Sequence, residues 1–267
     1  MLTARALKIA LPEYAHLPNI MGSDGKKLSK RTGDTAVSEY LMKGYLPECL
    51  LNFIALLGWN PKNNQEIMSM EEMIERFELT DIHKSGALLD PVKLNWMNSE
   101  YIKKMELGLL HERLAEYLKV YAPEFYTEVF SQAEYDFNAK IIRELQSRMR
   151  KFDEYIELTG SLYGEAPMRR DLLMNAKMKI ESDEAAIASL QFVLTYIEHG
   201  DYTTLDSLKA PILEAIALSG QKNGQVLWPL RIALSGEEFS PGAFEIAFIL
   251  GREKSRERIK KYLENHA

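Results

Sequence analysis

The sequence predicts a mainly α, multi-domain helical protein with a small β element near its N-terminus. Three observations carry this reading. Apolar residues recur at helical spacing through nearly every segment after residue 36. Strand signals are confined to LPNIM and the KKLS segment, which could pair as two short strands. No glycine-rich βαβ unit is present, so a nucleotide-binding parallel-sheet domain is expected to be absent from these residues.

Each element has a local cause. Residues 36–43 form a short helix stopped by Gly44 in a C′ position. Pro47 suits the first turn of the next helix, PECLLNFIALL, which ends at Gly58. Ser69 and Glu72 make a capping box for MEEMIERF. There the Glu71–Glu72 pair favours the helix dipole rather than acid–base work. Asp90 before Pro91 opens a helix containing VKLNWM. Beyond residue 106 the helices are LLHERLAEYLKVY, AKIIRELQSRMRKFDEYIELTGSLY, DEAAIASLQFVLTYIEH, LDSLKAPILEAIALSG, AFEIAFILG and SRERIKKYLENH. Pattern breaks near 103–107 and 180–185 divide the chain into 1–105, 106–184 and 185–267. Trp59, Trp96 and Trp228 sit in apolar surroundings and are expected in the core, as are the Met-rich stretches 68–73 and 168–178.

Bulk chemistry narrows the function. The chain of 267 residues has 33 cations and 39 anions, a net charge of −6, so a polyanionic partner would have to meet local basic surfaces. Residues 1–35 carry a local +3, and so do the last sixteen. Cys49 is the sole cysteine and lies in an apolar run, which excludes an intrachain disulfide and predicts a reduced core thiol. No stretch is long and apolar enough to span a membrane, and the N-terminus lacks the apolar region of a signal peptide, so a cytoplasmic location is expected. There is no His-Glu-x-x-His pair, nucleophile elbow or Walker loop, and no metal site is expected.

One stretch stands apart. GSDGKKLSKRTGD places Lys26, Lys27, Lys30 and Arg31 within six positions, bracketed by glycines. Lysine supplies a mobile point charge, and backbone N–H groups near Gly22 and Gly25 could add anion-binding dipoles. Lysines aimed at a leaving pyrophosphate stabilise a transition state in which charge grows there. A solvated basic turn would have the same composition.

The surrounding residues HLPNIMGSDGKKLSKRTGD resemble the second signature of the class I aminoacyl-tRNA synthetases, commonly Lys-Met-Ser-Lys-Ser. Here it stands as Lys27-Leu28-Ser29-Lys30-Arg31. The Leu and Arg variants, with AHLP upstream, resemble the glutamyl-tRNA synthetase branch. GYLPECLLNFIALLGWNP, FELTDIHKSGALLDPVKLNWMNSEYI and WPLRIALSGEEFSPGAFEIAFILG resemble the same branch, in the same order. The family's first signature, His-Ile-Gly-His, is missing around His16, His83, His111, His199 and His266. The resemblance is therefore to the C-terminal part, entered just before the lysine loop. It implies a stem-contact region with the loop at 1–105, then two helical-bundle anticodon-binding domains at 106–184 and 185–267.

The resemblance also implies site residues. Lys27 and Lys30 would steady the phosphates of ATP, with Lys30 the main ATP ligand, and Ser29 would shape the loop. Arg231 matches the position that contacts the anticodon, and Ser240, Pro241 and Ala243 occupy the neighbouring loop. Relatives often carry Leu where Ala243 stands, so this side chain offers a base less surface. Arg148 or Arg150 resembles the arginine that reads the third anticodon base. Plain alternatives exist: Arg231 could pair with Glu237 or Glu238, and Arg148 and Arg150 with Glu144, Asp153 or Glu154. The implied parent uses glutamate, ATP and Mg²⁺ and charges glutamate tRNA, with glutamine tRNA a further possibility. These residues alone would bind tRNA as a monomer, hold no cofactor and be catalytically incomplete. Two rivals are a stand-alone tRNA-binding relative without catalysis and a helical interaction protein with no RNA role.

Overall fold

The computed structural model describes residues 2–11, 13–22, 25–28, 36–83, 85–238 and 240–264. The chain divides into two compact units, 1–101 and 102–267.

In the first unit the described helices are α1 (Leu2–Ala6), α2 (Val37–Met42), α3 (Pro47–Gly58), α4 (Met70–Arg76) and α5 (Pro91–Lys104), whose last turn belongs to the second unit. The expected caps form. Ser69 Oγ accepts from Glu72 N at 3.2 Å while Glu72 Oε2 accepts from Ser69 N at 2.8 Å. Asp90 Oδ1 accepts from Val92 N at 2.8 Å, which satisfies an orphan donor of the first turn of α5. Cys49 is fully buried with Leu46 and Phe53, and burial pushes its thiol up to about 12. Buried Asn52 and Asn98 accept from the backbone N–H groups of Met68 and Leu46, at 3.0 and 2.9 Å, and so pin the chain before α4 and α3.

The expected two-stranded element is not formed among the described residues. Met21 makes isolated bridges instead, antiparallel to Lys27 and parallel to Leu88. Among the described residues the pairing is one bridge on each side of Met21, with Leu28 N donating to Ile20 O at 3.0 Å. Trp96 is also not a core residue: it is 42% exposed, whereas Trp59 is buried with Met68 and Met73.

The second unit contains α6 (Leu107–Tyr121), α7 (Pro123–Glu128), α8 (Tyr135–Leu145), α9 (Glu154–Tyr163), α10 (Asp183–His199), α11 (Leu205–Leu218), α12 (Asn223–Ser235) and α13 (Ala243–Glu264). Leu110, Leu114 and Leu118 form the buried stripe of α6 at i, i+4, i+8 and pack with Ile141, Ile142 and Leu145 of α8. His111 of α6 lies between the rings of Phe130 and Tyr135, with centroids at 5.2 and 4.6 Å. Farther along the chain, α10, α12 and α13 pack on one another through Leu190, Val193, Leu230, Ile246 and Ile249.

The long helix expected from residue 139 to 163 is broken at 146–153, between α8 and α9. Two forces break it. Gln146 Nε2 donates to the carbonyls of Ile102 and Met105 at 2.9 and 2.8 Å, which fixes the chain at the end of α8. Met149 and Phe152 then enter the core. Burial of such a side chain is worth about 1.5–3 kcal/mol, against a net of about 1 kcal/mol for each helical hydrogen bond forgone. The expected stop at Gly251, by contrast, is present. The backbone there has φ 75° and ψ 175°, so α13 is two helical arms joined at a bend. Across the bend, Ser255 Oγ donates to Ala247 O at 3.2 Å.

Candidate nucleic-acid interface

Arg231 lies on the last turns of α12, and the chain then reverses through residues 236–242 into α13. Gly236 makes the reversal possible. Its φ of +69° is left-handed, and a Cβ there would stand 2.1 Å from Pro167 O. Ser235, fully buried, organises the turn: its hydroxyl donates to Arg231 O at 2.8 Å and accepts from Glu237 N at 3.2 Å, with Ser240 Oγ 3.3 Å away. Arg258, from the second arm of α13, closes the end of α12. Its Nη1 donates to Leu234 O, and its Nη2 donates to Gly164 O at 2.6 Å. Cations at a helix C-terminus offset the negative end of the dipole.

The Arg231 guanidinium is held on two sides. Its central carbon sits 4.5 Å from the centre of the Trp228 ring, and Nη2 donates to Glu238 O at 2.9 Å. Trp228 is itself fixed, with its indole N–H donating to Leu172 O at 2.7 Å. It is half-buried under the guanidinium rather than sealed in the core. Arg231 Nε is buried with no partner among the described residues. Burial draws its pKa below the ordinary arginine value, and the Glu238 charge opposes that shift. Such a group is oriented, partly stripped of water and short of acceptors, which suits it to a planar polar edge.

The neighbouring loop residues lie at the same corner. Ser240 is half-buried; Pro241 and Ala243 are buried. Arg148 reaches this corner from the 146–153 break, where its Nη2 pairs with Glu245 Oε1 on the first turn of α13. Arg150 is engaged locally, its Nε donating to Glu154 Oε1 at 2.9 Å and its side chain 62% exposed. Lys27 is exposed in the first unit, while Ser29, Lys30 and Arg31 lie outside the described residues.

Sequence reasoning missed Glu245 and the platform role of Trp228. A faint signal for Glu245 was available. Gly242 precedes it by three residues, the N-cap to N3 spacing, and Gly242 O accepts from Ile246 N at 3.0 Å.

Residues 109–263 match the family described as anticodon binding domain. Residues 1–96 match the family of tRNA synthetases class I (E and Q), catalytic domain. The chain belongs to the anticodon-binding family of class I tRNA synthetases. It is 41% identical to a glutamate–tRNA ligase of Clostridium botulinum, over 95% of this chain and 51% of that protein. It is equally similar to one of Clostridium acetobutylicum, over 95% and 50%. Among solved structures, a glutamate tRNA ligase from Elizabethkingia meningosepticum superposes with a TM-score of 0.73 at 30% identity, covering 98% of this chain and 53% of that one. The chain thus spans about half the length of the relatives it matches. In this family the lysine loop falls within the segment counted with the catalytic domain, and the Arg231 corner falls within the anticodon-binding segment.

Proposed function

We propose that this chain is the tRNA-recognising part of a glutamate–tRNA ligase, reading the anticodon with its second unit. The observation that carries the proposal is the Arg231 corner: an indole-stacked, partly desolvated guanidinium on a helix end, beside a Ser-Pro-Gly turn and a second arginine. Splayed anticodon bases are read by hydrogen bonds to their edges and by stacking, while phosphates position the RNA. Arg231 supplies the edge contact, worth about 1–3 kcal/mol of discrimination. Ser240, Pro241 and Ala243 are assigned to the loop beside it, with half-buried Ser240 facing the base and buried Pro241 and Ala243 supporting it from beneath. Of the two candidates for the third base we assign Arg148, because it is tied to the reading corner whereas Arg150 is tied to its own helix. Residues 106–184 and 185–267 then act as successive anticodon-binding domains, and 1–105 as the stem-contact region.

The lysine loop serves the other substrate. Lys27, Ser29 and Lys30 are assigned to the ATP phosphates, where the lysines offset charge growing on pyrophosphate as glutamate is activated. The activated glutamate is then passed to the 3′ end of glutamate tRNA. Mg²⁺ would neutralise phosphate charge in that reaction. It would arrive with the triphosphate, held mainly by phosphate oxygens and water. We infer that the 267 residues alone, lacking the first signature, do not activate glutamate, and that they act as a cytoplasmic monomer. Pyrophosphate exchange above background would refute the inactivity.

The test is a gel shift of this chain with glutamate tRNA, glutamine tRNA and an unrelated tRNA. Preference for glutamate tRNA is expected. Equal affinity for all three would remove anticodon reading.

A further inference from the structure

Resting on the anticodon-reading proposal above, we propose that Glu245 is a positioning residue for base selection. It holds Arg148 at the Ser-Pro-Gly corner, where Gly242 leaves room for the Glu245 carboxylate.

The two residues that meet are 97 positions apart, Arg148 from the break between α8 and α9 and Glu245 from the first turn of α13. An arginine on an irregular segment has many rotamers, and one fixed acceptor removes most of that freedom. Glu245 engages the guanidinium at one nitrogen, Nη2. A guanidinium has five donors in one plane, so fixing one corner sets the plane and leaves donors for a base edge. The acceptor is itself constrained, its side chain being 19% exposed. Glu144, at the end of α8, has its carboxyl pushed up by burial first and by the Glu245 charge second.

Gly242 shows that the arrangement is specific. Its φ lies outside the left-handed region, so its backbone would accept other residues. What a side chain would meet is the carboxylate: an added Cβ would stand 2.2 Å from Glu245 Oε2 and 3.0 Å from its Cδ. A side chain at 242 would therefore push the flexible end of Glu245 aside, while the turn itself makes no demand for glycine. Loop residue Gly242, anion Glu245 and reader Arg148 form one mechanical chain, which links the second reading loop to the arginine of the preceding helical half.

The experiment measures affinities of the full 267-residue chain for three tRNA transcripts: glutamate tRNA, one altered at the third anticodon base and one altered at the first. The protein variants are E245Q, G242A and the double substitution. E245Q is expected to lower third-base selectivity about 5- to 10-fold, a large share of what one base-edge contact supplies, with first-base selectivity unchanged. G242A leaves Glu245 in the chain but displaces its carboxylate, so it should give the same loss. The double variant should be no worse than either single one, because both act through one group. A wild-type third-base ratio in E245Q, equal losses at both bases, or additive losses in the double variant would each overturn the proposal. If the unaltered chain itself shows no base preference, anticodon reading fails first and takes this proposal with it.

Discussion

Arg231 has its water partly replaced by an indole face and a carbonyl, yet its Nε is unanswered among the described residues. Arg231→Ala should weaken binding to glutamate tRNA by about 10-fold or more, consistent with one edge contact, and should weaken an anticodon-altered tRNA less; titration of both RNAs checks this. Arg231→Lys should fail to restore the difference, because an ammonium has no planar fork and stacks poorly on Trp228. The motif that marks Arg231, Ser240 and Pro241 as candidates is local and is read directly from the sequence. The platform of Arg231 was not legible there, since the apolar neighbours of Trp228 signalled core and only the fold places a guanidinium over its face. The same holds for Glu245, whose partner lies 97 residues away. His111 offers a different residue-scale test. Burial depresses its pKa below 6.5, and its Nε2 has no partner among the described residues. The folded state therefore binds its proton less readily than the unfolded state. Its contribution is fully present above the unfolded pKa and is lost as pH falls from there through the lower folded value. Urea midpoints should fall as pH drops below about 6.5, and His111→Phe should flatten part of that fall.

Among the helices, the predictable ones are those whose ends are written in two or three adjacent residues: Ser69 with Glu72, Asp90 before Pro91, and Gly251 after a run of apolar residues. The break at 146–153 was not legible, because Gln146 ends α8 through carbonyls more than forty residues away and Met149 is then fully buried. That break matters, since it takes Arg148 off a regular helix and lets it reach α13. The end of α12 carries its own test. Gly236→Ala combines a left-handed backbone with a Cβ 2.1 Å from Pro167 O. It should cost about 2–4 kcal/mol, the sum of backbone strain and a displaced neighbour. Chemical denaturation measures that loss, and an unchanged midpoint would mean that the turn can rearrange without penalty.

For the whole chain, a net charge of −6 rules out attraction of RNA by bulk charge. Binding has to come from local cations; the last sixteen residues carry a local +3, but Arg258 there closes α12 and Arg256, Lys260 and Lys261 pair with Glu253, Glu198 and Glu165. Affinity for glutamate tRNA should drop about 10-fold or more between 50 and 200 mM salt, as counterion release by several phosphates requires. A flat salt response in the titration would point to a partner other than RNA. The helical architecture was readable because its period repeats everywhere in the sequence. The small β element expected from two stretches near a glycine turn is not shown; among the described residues Met21 makes only single bridges.

Arg258 has a consequence in time. It closes the last carbonyls of α12 from a position 24 residues further along the chain. On a ribosome adding about 5–20 residues per second, α12 emerges with that end bare for roughly one to five seconds. Until the later residue leaves the exit tunnel, the helix end carrying Arg231 has no cation to quiet it. The end of α12 is thus among the last parts of a newborn molecule to be finished.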